Sequence, residues 1–101
     1  MKKFRTFDCA VAFYRLCRTL KMSSHLKEQL SRAASSVALN LAEGRGKATS
    51  KDQARFFQIA FGSVRECQAV LILAELEGSE AWKTLDCLAA HLYRLIEKAG
   101  G

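Results

Sequence analysis

The sequence predicts an all-α protein: a single domain over residues 1–101, folded as an up-down-up-down antiparallel four-helix bundle. Three observations carry this. Apolar residues recur at helical spacing in four successive segments, no proline interrupts them, and glycine falls almost only where a helix would end. The connections between segments are short, which forces sequence neighbours to run antiparallel. A chain of 101 residues, half of them apolar, is long enough to bury about two-thirds of its unfolded surface without metal or disulfide staples.

The first helix is expected over residues 7–21. Cys9, Phe13, Leu16 and Leu20 repeat at 4-3-4 spacing, with Arg15 and Arg18 on the opposite face. The second is expected over 24–43, with Ser24 as N-cap and Leu26, Leu30, Ala34, Val37 and Leu41 as its core stripe. Gly44 then suits the left-handed position after a helix stop. The third is expected over 50–77. Ser50 and Gln53 match a capping box, and Gly78 ends the helix. Two apolar stripes run along it: Phe56, Ile59/Ala60, Ser63, Cys67, Val70 and Ala74, then Phe57, Phe61, Val64 and Leu71. Together they exceed the arc of little over 100° that one core needs. The fourth, over 79–98, starts at Ser79 and shows one stripe from Trp82 to Leu95/Ile96. The small residues Ala33 to Ser36 are expected to pack closely on Gly62 and Ser63.

Charge is uneven. Lys2, Lys3, Arg5, Arg15, Arg18, Lys21, Lys27 and Arg32 oppose only Asp8 and Glu28, so residues 1–32 carry the whole net +6. Such asymmetry fits a polyanionic partner as well as a plain solvated face. Arg45, Lys47 and Lys51 form a basic loop, and Lys2, Lys3 and Arg5 a basic arm; point charges of this kind hold phosphates without reading bases. Phe4 and Phe7 lie in the arm, where rings can stack on unpaired bases. The surplus apolar arc, Phe57, Phe61 and Val64 with Leu39 on the back of the second helix, reads as a subunit interface that symmetry would close.

Enzyme chemistry finds little support. His25 and His91 stand apart, there is no Glu-x-x-His pair, and the Gly44–Lys47 run lacks phosphate-loop spacing. Cys9, Cys17, Cys67 and Cys87 show no zinc spacing. No metal or cofactor is expected. With no secretory pattern and no run near the ~20 apolar residues of a membrane span, a cytoplasmic protein with no membrane partner is expected.

The run Arg32-Ala-Ala-Ser-Ser-Val-Ala-Leu-Asn-Leu-Ala-Glu-Gly-Arg-Gly-Lys47, continued by Ser50 to Ser63, resembles the signature of the four-helix-bundle proteins encoded in 23S rRNA intervening sequences. Arg32, Asn40, Glu43, Gly44, Arg45 and Gly46 occupy the motif positions. Arg45 stands where an aromatic or apolar residue is common in that family, making the loop more basic. The resemblance implies a homo-oligomer, a ring of five, whose relatives include the accessory proteins of diversity-generating retroelements, which bind nucleic acid and a reverse transcriptase. The expected function is therefore a non-enzymatic homo-oligomeric scaffold binding structured RNA or DNA. The rival is a protein-interaction module that docks a partner such as a reverse transcriptase without touching nucleic acid.

Overall fold

The computed structural model describes residues 4–100 and holds four helices among them: α1 (Arg5–Cys17), α2 (Ser24–Arg45), α3 (Ser50–Leu73) and α4 (Glu80–Lys98). Each packs on its sequence neighbours, and α1 closes the ring on α4. The antiparallel bundle measures 40 × 24 × 21 Å. Its long dimension is set by α3, whose 24 residues span about 36 Å at 1.5 Å per residue. Phe13, Leu30, Leu41, Leu71, Leu85, Leu88 and Leu92 fill the centre.

Several helix ends depart from expectation. α1 stops at Cys17 instead of residue 21, its end tightening as the Arg18, Thr19 and Leu20 amides donate to the Arg15, Leu16 and Cys17 carbonyls. Lys27 reaches across from α2 to the turn that follows. Its ammonium donates to the carbonyls of Arg18, at 3.1 Å, and of Leu20, satisfying oxygens that a helix end leaves unpaired. Leu20 still packs on the core. The N-cap of α2 is Ser23, whose hydroxyl accepts from the Leu26 amide at 3.3 Å. Thr49, not Ser50, caps α3 by accepting from the Asp52 amide at 3.2 Å. Gln53 does not complete a capping box: its amide donates to the Lys47 carbonyl at 3.2 Å and ties the loop to α3. α3 ends at Leu73, before Gly78, in a Schellman turn. Glu75 takes φ 58°, its N–H donates to Ile72, and the Leu76 N–H donates back to Leu71. The Leu76 side chain then folds onto the core. Only Ser79 caps as read, accepting from the Trp82 amide at 3.2 Å.

By length and composition α3 can cross a bilayer, with a mean hydropathy of 1.3 in its most apolar window. The expectation that no segment approaches a span is corrected in that respect. In the bundle, α3 buries Ala54, Phe57, Ala60, Val64, Cys67, Val70 and Leu71 and packs on both α2 and α4. Arg65 and Glu66, both exposed, fall in its middle, where a charge in a membrane helix costs about 2.5–3.5 kcal/mol.

α2 and α3 make the most extensive contact of the bundle. Ala33, Ala34 and Ala60 are buried there, and the Ser36 and Ser63 hydroxyls hydrogen-bond at 2.8 Å. Gly62 plays no part in this approach; it is exposed, and a Cβ there would meet nothing within 4 Å. Gly44 does not stop α2, which runs on to Arg45 with Gly46 as a right-handed C-cap. It is buried against α3, where a Cβ would lie 2.8 Å from Phe57 Cε1 and 3.0 Å from Phe56 Cβ.

The two helical glycines should therefore respond to alanine with opposite signs. Gly62→Ala should raise stability by about 0.5–1 kcal/mol through helix propensity alone. Gly44→Ala gains the same propensity but forces the buried Phe57 ring aside, and overpacking of about 1–3 kcal/mol should leave a net loss. Urea denaturation midpoints of the two variants measure the contrast.

Candidate nucleic-acid interface

The antiparallel layout divides the cations that the sequence grouped. Arg5 begins α1, Arg45 ends α2 and Lys51 opens α3, so these gather at one end of the bundle with Lys47. Arg15 and Arg18 lie at the end of α1, which is the opposite end, and both are exposed. Lys2 and Lys3 lie outside the described residues. Arg5 belongs to helix, so the basic arm is not a free extension at that position.

Arg45 and Lys47 have structural partners that the sequence did not reveal. The Arg45 guanidinium sits 4.4 Å from the centroid of the Phe4 ring, and Phe4 meets the buried Phe57 ring at 6.5 Å with a 48° tilt. Phe57, Phe4 and Arg45 thus form a stack that runs from core to surface. Phe4 and Phe7 both pack on the core while only half-buried, so neither ring stands free on an extended arm. Lys47 Nζ lies 3.0 Å from Glu43 Oε2 and 5.0 Å from the Phe56 ring, which Arg55 also flanks at 5.0 Å. Cation–π contacts at exposed sites stabilise by about 0.5–1 kcal/mol, and surface ion pairs by about 0–1 kcal/mol. They orient these side chains without locking them. Only Lys47 is neutralised; among the described residues neither Arg45 nor Lys51 has an ion-pair partner. A depression of about 310 Å³ opens beside Arg45, walled by Phe4, Gln53, Leu95 and Lys98. Lys98 and Arg55 were not singled out from the sequence, since only the fold shows that α4 ends where α3 begins.

The motif residues separate into packing and surface roles. Asn40 Nδ2 donates to the Ser36 carbonyl at 2.9 Å and to Ser36 Oγ at 3.1 Å, extending the polar seam that joins Ser63. Arg32 and Glu43 each take a partner one turn away on their own segment. Arg32 lies 3.8 Å from Glu28, while Glu43 takes Lys47.

The expected subunit interface needs the larger correction. Phe57 and Val64 are buried in the bundle's own core, because α3 packs on two neighbours and uses a wide arc within one subunit. Phe61 is half-buried against that core, with Arg65 5.5 Å from its ring. Leu39 alone of the four is open, at 68 % exposure. Ile59, at 47 %, joins it. The Ser36–Ser63 bond sets the antiparallel register, and one turn along, Asn40 comes level with Ile59. Leu39 and Ile59 therefore share one level of the α2–α3 face.

His25 is exposed and His91 half-buried, and among the described residues no group of three His, Cys, Asp or Glu gathers. Burial pushes the Cys17 thiol up to about 12, with Lys27 partly offsetting it, and burial likewise raises Cys67. Cys9 is raised by burial first and then by the neighbouring Cys87, an α1–α4 contact that the sequence did not show.

With the four helices, the α2–α3 seam and the glycine contact established, one comparison is decisive: residues 4–98 match the family described as 23S rRNA-intervening sequence protein. The chain belongs to this family. Comparison with curated proteins and with solved structures gave no match. In this intervening-sequence protein the matched span takes in all four helices.

Since the thiolate is the reactive form, an aromatic disulfide reagent at neutral pH should modify exposed Cys87 first and half-buried Cys9 next. Cys17 and Cys67 should react only in denaturant. Mass-spectrometric mapping of the labelled sites checks this, and prompt labelling of Cys67 in the folded protein would contradict the packing described.

Proposed function

We propose that this 23S rRNA-intervening sequence protein is a non-enzymatic, self-associating scaffold that binds structured RNA or DNA by its phosphates. The observation that carries the reading is the convergence of Arg45, Lys51 and Arg5 at one end of the bundle, none with an ion-pair partner among the described residues. Cations held apart from carboxylates take up backbone phosphate and release its counterions, and this binding is independent of base sequence. The family description names a ribosomal RNA insertion, and a ring of subunits would repeat the same basic end around an axis. The ring of five comes from the family resemblance.

A second reading, docking of a partner protein such as a reverse transcriptase, is favoured by Leu39 and Ile59. Two large apolar side chains at one level of the α2–α3 face suit a protein contact. The same pair serves a subunit interface, in place of Phe57 and Val64.

Affinity for a structured RNA should fall by roughly threefold per phosphate contact between 50 and 200 mM salt. Arg45→Glu with Lys51→Glu should weaken binding at least tenfold while leaving circular dichroism unchanged. Binding that ignores salt and both reversals would overturn the phosphate reading and leave partner docking. Separately, Leu39→Asp with Ile59→Asp should reduce the particle mass in light scattering without unfolding the bundle; an unchanged mass would rule that face out as the subunit contact.

A further inference from the structure

At the same end of the bundle, α1 and α4 flank a second depression of about 300 Å³, lined by Arg5, Thr6, His91, Arg94, Leu95 and Lys98. Two arginines, a lysine and a histidine line it, and no Asp or Glu does. Asp8 and Glu97 lie on the same two helices without reaching its wall. Among the described residues Arg5, Arg94 and Lys98 have no ion-pair partner. We propose that this α1–α4 depression is a phosphate-binding site for a nucleic-acid strand, with Arg94 and Lys98 as its principal ligands. It rests on the reading of the protein as a nucleic-acid binder and adds a site to that reading.

Three arguments favour a strand over a free anion. His91, Arg94 and Lys98 stand at i, i+3 and i+7 on α4, a single ridge extending about 10 Å along the helix, long enough to meet more than one phosphate of a strand. The ridge is continuous with the depression beside Arg45, since Leu95 and Lys98 line both. The basic track therefore passes from His91 past Lys98 to Arg45, joining residues far apart in sequence. Third, the walls are open and the cations lie along them, which suits a polymer backbone better than an enclosed ion. The helix ends do not decide the matter: α1 begins here and α4 ends here, so their dipoles oppose. Lys98 does offset the dipole of α4, but Arg5, from another helix, has no such duty.

The test uses the whole protein and a fluorescein-labelled RNA hairpin with a single-stranded tail, titrated from 50 to 200 mM salt. Arg94→Glu with Lys98→Glu should weaken binding at least tenfold. The neutral pair Arg94→Gln with Lys98→Gln should lower the slope of log affinity against log salt by about 0.7–0.9 for each phosphate that is no longer neutralised. Arg18→Glu, at the far end, should change affinity much less. Thermal melts verify that each variant folds. If the wild type binds and both α4 pairs keep its affinity and slope, this site is wrong while nucleic-acid binding stands, and its cations serve another partner such as an acidic protein. If the wild type does not bind, the broader reading fails along with the site. Saturable binding of inorganic phosphate, abolished by the α4 pair and competing with RNA beyond its ionic strength, would replace the strand with a free anion.

Discussion

The close approach of α2 to α3 at Gly44, against the ring of Phe57, is the contact on which the basic end of this protein depends. With no side chain at Gly44, the helices pack tightly enough for Phe57 to be buried and for Ser36 and Ser63 to bond across the seam. The buried Phe57 supports Phe4, and Phe4 holds the Arg45 guanidinium over its face. A core contact is thus transmitted to the surface through two rings. The same approach fixes the register that places Leu39 level with Ile59 on the outer face.

The cations at this end are positioned by weak contacts, and that is compatible with binding. A guanidinium over a ring keeps its charge and most of its donors, so phosphate can approach from the solvent side. An ion pair is different: Lys47 beside Glu43 must exchange one anion for another. Its pair is part-exposed, at 34 % and 56 %, so the exchange costs little, but its net contribution to a phosphate site is correspondingly smaller than that of Arg45 or Lys51.

The helices themselves were legible because apolar spacing is a local property of the chain. Ser79 was read as a cap because its partner, the Trp82 amide, is three residues away. The ends of α1 and α3 were not legible. One is followed by a turn that Lys27 ties to the next helix, the other turns on Glu75 adopting a left-handed conformation that the sequence does not advertise. Phe57 and Val64 were assigned outward because a wide apolar arc implies a second partner; it does not say that the partner is another helix of the same bundle. Arg94 and Lys98 carry no local signal, because each is ordinary on its own helix.

The sequence by itself determined the fold class, the four helices, the basic character and the family motif, since these follow from composition and from periods of a few residues. Tertiary structure decided what the motif is for in packing and which charges stand together. Gly44 serves a contact and not a turn, because the neighbouring atoms come from Phe56 and Phe57. The basic end unites the start of α1, the loop after α2 and the end of α4, because antiparallel packing brings distant termini to one plane. No local pattern contains that information: charge proximity across helices is a property of the packed bundle alone.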